Sequence, residues 1–348
     1  MARKDNTSFK RTLPPYDGDS FLDIRNLTVY YTSGGEKVEA VNNVSFKLKK
    51  GQTLGLVGET GAGKTTIAKA ILRILPDPPA KIPQGEIWLD GEELLSKPES
   101  EMLGIRGSDI SMIFQDPMTA LNPTMTVGVQ ISEVIQHHNP KWSKKQVIEH
   151  AYEMLELVGI PRTRYMEYPH EFSGGMKQRV VIAMALACDP QLLLADEPTT
   201  ALDVTIQAQV LDMMRNLKNQ FGTSMILITH DLGVVAETCD TVAVLYAGKI
   251  MESGEKRHIF KNASHPYTVG LFNSLPDMHD ELPLVGHNKL KPIPGLPPDP
   301  THLPSGCPFS PRCPHATEEC KIGEIPEVEI EPGHMVRCIK FAGKEGNE

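Results

Sequence analysis

A lysine and a threonine close a glycine-rich run, Gly58-Glu-Thr-Gly-Ala-Gly-Lys64-Thr65, a spacing that suits phosphate. Gly58, Gly61 and Gly63 let successive backbone N–H groups turn inward with no Cβ in the way. Lys64 brings a compact charge for β- and γ-phosphates, and the Thr65 hydroxyl is a ligand for Mg²⁺. Thr60, Ala62 and Thr66 complete the loop. Downstream, four apolar residues run into two carboxylates in Leu192-Leu-Leu-Ala-Asp196-Glu197. A buried strand with acids at its tip places Asp196 to hold Mg²⁺ through water and Glu197 to polarise an attacking water as general base. Between the two lies Phe172-Ser-Gly-Gly-Met176, a hydroxyl and free N–H groups at a helix start, where an anion is favoured. Each run alone also reads blandly, as a glycine turn, a strand end with exposed acids, or a loop. In this order along one chain they describe nucleoside triphosphate hydrolysis.

Such groups need a sheet and helices to hold them. Leu22 to Tyr31 and Val38 to Leu48 alternate as strands about a Gly34-Gly35 turn. Thr53 to Val57 is a short apolar strand entering the glycine loop, and Thr66 to Leu75 carries helical periodicity up to Pro76. Val127 to Val158 is mostly helical in pattern, within an inserted helical subdomain over about residues 118–185. Strand–helix alternation then resumes: Leu192–Ala195, a helix over Val204–Gln220, Ser224–Thr229, a helix after Asp231, and Thr241–Tyr246. The expected class is α/β, a mainly parallel sheet covered by helices. Residues 1–20 read as a flexible arm, 21–262 as the nucleotide-binding domain, and 263–348 as a smaller, proline-rich, cysteine-bearing extension.

With these motifs in place, the chain resembles the ATP-binding subunits of ABC transporters over about Phe21 to Phe260. The resemblance implies the P-loop ABC ATPase fold, a RecA-like core with an antiparallel β subdomain and an inserted helical subdomain. Gln115 matches the Q-loop glutamine that reaches Mg²⁺, and Phe172 to Met176 matches the signature, with Phe172 and Met176 departing from its usual leucine and glutamine. Ala201-Leu-Asp203 matches the D-loop, His230 the switch histidine of the γ-phosphate, and Tyr31 the adenine-stacking aromatic, with Tyr30 as the competing register. In such proteins the signature of one subunit closes on ATP held by another. Ser173, Gly174, Gly175 and Met176 would then act in trans, and a second ATPase is required, either a copy of this chain or, as the peptide group often has, a sister.

The C-terminal region narrows the resemblance to the oligopeptide/dipeptide importer group. His265-Pro-Tyr-Thr268, Leu271 to Pro276, Ile293 to Pro298 and Gly306 to Pro314 carry the match. Cys307, Cys313, Cys320 and Cys338 follow a C-x5-C-x6-C-x17-C spacing. Disulfides are disfavoured in a reducing compartment, and zinc prefers a tighter pair than any here. Four thiolates on irregular loops suit a [4Fe–4S] cluster, which some members of this group carry. Zinc, with His315 and His334 as spare donors, and unligated thiols stay open, while Cys188 and Cys239 read as buried thiols.

A net charge of −9 argues against a general nucleic-acid binder. The first twenty residues lack the apolar core of a signal peptide, and no apolar run reaches the roughly 18–20 residues of a membrane span. The resemblance therefore implies a peripheral subunit at the cytoplasmic face, working with two permeases and, indirectly, a solute-binding protein. Peptides are the expected solute, with metal complexes or oligosaccharides as alternatives. A soluble ABC-type ATPase acting on DNA or ribosomes is the rival, although no long coiled coil or second nucleotide unit is visible. A non-catalytic ATP-binding module fits poorly with Glu197 and His230.

Overall fold

The computed structural model describes residues 20–200, 202–274 and 292–342. The N-terminal arm up to residue 19, Ala201, and Leu275 and Pro276 of the post-domain segment lie outside them. The alternating runs near the N-terminus form β1 (Leu22–Ser33) and β2 (Glu36–Leu48), an antiparallel hairpin turning at Gly34 and Gly35. β3 (Thr53–Val57) is wholly buried, and α1 (Lys64–Ile71) begins at the loop lysine. This helix stops short of Leu75 because Arg73 adopts a φ of 51°, while its guanidinium donates to the Leu94 carbonyl.

β4 (Ala80–Leu89) and β5 (Glu92–Glu93) extend the hairpin into a four-stranded antiparallel sheet of order β2-β1-β4-β5. Pro83 and Gly85 interrupt the alternation of β4 and hide it in the sequence. At Gly85, with φ of 129°, a Cβ would stand 2.7 Å from Leu27 Cα, so only glycine lets the two strands approach.

α2 (Glu99–Ile105), β6 (Ile110–Ile113) and α3 (Pro117–Ala120) lead to the helical insertion. There α4 (Val127–His138) ends just before Pro140, and α5 (Lys144–Leu157) starts on a capping box between Ser143 and Gln146. α6 (Gly174–Leu186) follows, and then β7 (Leu192–Asp196), α7 (Val204–Phe221), β8 (Ser224–Ile228), α8 (Leu232–Thr238) and β9 (Thr241–Tyr246). From β7 to β9 the predicted strand and helix limits hold to within one residue.

The chain continues through β10 (Lys249–Glu255), α9 (Lys256–Lys261), α10 (Pro266–Asn273), β11 (Val328–Glu331) and β12 (His334–Val336). The main sheet has eight strands in the order β11-β12-β10-β9-β3-β8-β7-β6, parallel from β9 to β6. The C-terminal extension is thus joined to this sheet, because β12 pairs with β10 and Tyr267, Phe309 and Ile325 share its core.

Alternate residues of the parallel strands serve opposite layers. Leu192, Leu194, Ile226 and Ile228 pack with β1 and α1, whereas Leu193, Ala195, Met225 and Leu227 pack with α6, α7 and α8. Burial on both faces explains the unbroken apolar runs that made these strands legible. Gly58, Gln115, Glu197 and His230 follow β3, β6, β7 and β8, so one carboxyl edge of the sheet gathers them.

Candidate functional site

The glycine loop is shaped by backbone that side chains would obstruct. At Gly58 a Cβ would lie 2.1 Å from Leu245 O, and at Gly63, where φ is 101°, it would lie 2.2 Å from Ala40 O. The loop lines a cleft of about 320 Å³ with residues 60–66, Ala40, Gln115, Glu197 and His230. Ser173 to Met176 are not among the residues lining it.

Lys64 is buried and donates to the carbonyls of Gly58 at 2.7 Å and Glu59 at 3.0 Å. Burial lowers its pKa, opposed by the charges of Glu197, Asp196 and Glu59. Thr65 Oγ1 donates to Asp196 Oδ2 at 2.8 Å. Burial raises the Asp196 pKa, offset by that hydrogen bond and reinforced by Glu197. A desolvated carboxylate beside a hydroxyl, with oxygen donors only, fits a hard divalent cation.

Glu197 turns the chain with φ of 47°, in the left-handed region, and its N–H donates to Ile228 O at 2.8 Å. This aims its carboxylate into the cleft. Gln115 Nε2 and Thr200 Oγ1 each donate to Oε2 at 2.9 Å, and His230 Nδ1 lies 3.2 Å from Oε1. Partial burial pushes the Glu197 carboxyl up, but hydrogen bonds from Thr200 and His230, the His230 charge and Gln115 outweigh it. The group is held below the usual carboxylate range and rests ionised, as a proton acceptor must. Thr200 is a residue that motif reading missed; its only signal was a hydroxyl three places after Glu197.

Tyr31 OH lies 3.4 Å from Thr66 Oγ1, whereas the Tyr30 ring carries Lys37 Nζ at 4.8 Å. The Tyr31 register therefore faces the loop helix. Ser173 caps α6 by accepting from Met176 N. At Gly175 a Cβ would meet Ile206 Cγ2 at 2.5 Å, so the start of α7 sits directly against the signature. Asp203 caps that helix through Ile206 N at 2.9 Å.

The two signature departures share one partner. The Arg164 guanidinium lies 4.3 Å from the Phe172 ring centroid, and its NH1 approaches Met176 Sδ at 3.2 Å. Nothing in the sequence linked these three residues.

The four tail cysteines are free thiols, Cys307 and Cys320 buried and Cys313 and Cys338 half-buried. Burial raises Cys307 to about 11, eased by the Phe309 N–H and reinforced by Cys338, Cys313 and Cys320. Cys338 in turn feels Cys313 and Cys320, and Cys313 feels Cys320, so all four stand within electrostatic reach of one another. Cys307 N donates to Cys320 O at 2.8 Å, an approach that Gly306 permits, since a Cβ there would lie 2.3 Å from the same oxygen. Among the described residues no three His, Cys, Asp or Glu side chains are arranged to hold a metal ion.

His334 is not a spare donor for this group. It is fully buried, donates or accepts through Nε2 with Glu252 at 2.8 Å, and stacks on His258. Its place in β12 dictates this, since that strand pairs with the strand carrying Glu252. Cys239 is buried, with burial pushing it to about 12, and Cys188 is half-buried.

Residues 41–200 match the family described as ABC transporter, and residues 251–320 match the oligopeptide/dipeptide transporter C-terminal region. The chain is 49% identical over 318 residues to the oligopeptide transport ATP-binding protein OppD of Bacillus subtilis, covering 91% of this chain and 87% of that one. It is 50% identical over 321 residues to the dipeptide transport ATP-binding protein DppD of the same organism, covering 92% of each. The chain belongs to the oligopeptide/dipeptide ABC transporter ATPase family. Similar solved structures include a dimeric, post-hydrolysis ATP-binding cassette, MJ0796, bound to ADP and Pi. That likeness has a TM-score of 0.61 and 26% identity, covering 68% of this chain and 99% of the other. CbiO1 from Clostridium perfringens gives the same TM-score over 73% and 95%. The two sheets and helical insertion are accordingly an ABC ATPase fold. ATP and Mg²⁺ are what such an ATPase uses.

Proposed function

We propose that this ABC ATPase is the subunit that couples ATP hydrolysis to import of di- or oligopeptides. The observation that carries the reading is the match of residues 251–320 to a region named for peptide transporters, on a chain related over nine-tenths of its length to peptide-transport ATPases.

In this reading Lys64 and the loop N–H groups of residues 58–66 hold the phosphates, and Tyr31 lies against adenine. Thr65, Gln115 and Asp196 would hold Mg²⁺, which would supply positive charge against the phosphates. Glu197 takes a proton from the attacking water, Thr200 and Gln115 fix its carboxylate, and His230 contacts the γ-phosphate. Ser173, Gly174 and Gly175 serve ATP on a second ATPase, with Asp203 and α7 bracing them. Their absence from the lining of this chain's own cleft and the dimeric cassette among similar structures support that arrangement.

The partners are a sister ATPase, two permeases, and indirectly an extracytoplasmic solute-binding protein. No described helix is long and apolar enough to cross a membrane, in keeping with a peripheral place at the cytoplasmic face. Reconstituted with these partners, the chain is expected to raise ATP turnover severalfold with peptide-loaded binding protein. Turnover stimulated by DNA, and indifferent to peptide, would overturn the reading.

The four thiols are assigned to a [4Fe–4S] cluster. A single zinc ion would need sulfurs about 3.8 Å apart, from zinc–sulfur bonds of about 2.3 Å. A cluster places inorganic atoms between its ligands and accepts a wider set of four. When bound it staples loops that have little core of their own. Anaerobically purified protein should contain about four irons per chain with acid-labile sulfide. Zinc without iron rejects the assignment.

A further inference from the structure

Glu59, the second residue of the phosphate loop, is gripped from the C-terminal region. Arg312 NH1 lies 3.0 Å and 2.9 Å from its two carboxylate oxygens, and Tyr267 OH accepts its N–H at 3.0 Å. These partners stand 253 and 208 residues away in sequence. Arg312 is itself locked. Its side chain is 7% exposed, NH1 also donates to Tyr246 OH at 3.1 Å, Nε to Pro294 O at 3.0 Å, and NH2 to Ile293 O at 3.3 Å. Beneath it Tyr246, Tyr267 and Phe309 form a buried aromatic triangle with centroids 4.5 to 5.3 Å apart.

The third handle on Glu59 faces the site. Its carbonyl accepts from Lys64 Nζ at 3.0 Å, so the peptide fixed by Arg312 and Tyr267 also sets where the lysine rests. Arg312 lies between Cys307 and Cys313, on the turn that brings the thiols together. We propose that Arg312 is a positioning residue for the phosphate loop, so that affinity for MgATP depends on the folding of the four-cysteine turn. The inference rests on the loop being the ATP site.

A charge-assisted pair of this kind, lost from a partly buried place, is worth roughly a tenfold change in affinity. In the full chain assembled with its partners, Arg312→Met should raise the KM for ATP about tenfold with kcat within about twofold. Arg312→Lys keeps the charge without the planar fork and should recover only part of the loss. Glu59→Gln should shift KM in the same direction, and the double variant should be no worse than the worse single one. If Arg312→Met does not fold, Glu59→Gln and its thermal melt carry the test, since that change leaves the tail's own packing intact. By reciprocity, saturating MgATP should slow amide exchange across residues 305–315, and the effect should vanish in Glu59→Gln. An unchanged KM in folded Arg312→Met, strictly additive variants, or a loss confined to kcat overturns the clamp and leaves the ATP site standing. Undiminished MgATP binding in Lys64→Ala would instead overturn the ATP site itself.

Discussion

Glu197→Gln should lower kcat for ATP hydrolysis by about a hundredfold or more, the usual worth of a positioned general base. Glutamine has the same shape and can still meet Thr200 and His230, so the surrounding contacts persist. It cannot accept a proton. Because Glu197 rests as a carboxylate held by Gln115, Thr200 and His230, the wild-type site begins in the state that abstraction requires. MgATP binding, measured by equilibrium dialysis alongside phosphate release, should stay within a few-fold of wild type. Turnover near the wild-type rate would show that another group prepares the water.

Lys64→Ala should do the opposite, weakening MgATP binding by about two to four orders of magnitude. That is the sum expected from two charge-assisted hydrogen bonds to phosphate at about 1.5–3 kcal/mol each. The Lys64 ammonium donates to two loop carbonyls, so the fold itself holds a buried cation against the glycine loop. The variant leaves those carbonyls facing an open cleft and should melt close to wild type. Titration calorimetry with MgATP decides the matter, and affinity within a few-fold of wild type would overturn the glycine loop as the ATP site.

These two residues were legible because their chemistry is local. Lys64 closes a spacing found within eight residues, and Glu197 ends a strand whose unbroken apolar run comes from burial on both faces. β9 was legible for the same reason. β4 was not, because proline and glycine mask alternation wherever a backbone must approach another closely. The contacts among site residues were legible only in part. Gln115 and Glu197 are 82 positions apart, and only the adjacency of β6 and β7 turns two motifs into one hydrogen bond. The resemblance to known ATPases named most of these residues, but it was silent on Arg164 and Arg312. Their partners are chosen by tertiary packing: Arg164 lies over Phe172 and beside Met176, and Arg312 reaches across the molecule to Glu59. His334 shows the reverse error, a histidine counted as a metal donor from sequence proximity and found buried against Glu252.

The pairing of β12 with β10 also governs what can be removed from this chain. Without β12 and the β11 strand beyond it, Glu252 and Ser253 would line the border of the remaining six-stranded sheet with main-chain N–H and C=O groups unmatched. Such a border is a template for association with other chains. The buried Glu252 would at the same time lose the imidazole that faces it. A cassette trimmed to residue 262 would therefore be a sticky molecule and not a minimal one, and the C-terminal region guards the solubility of the ATPase as well as extending it.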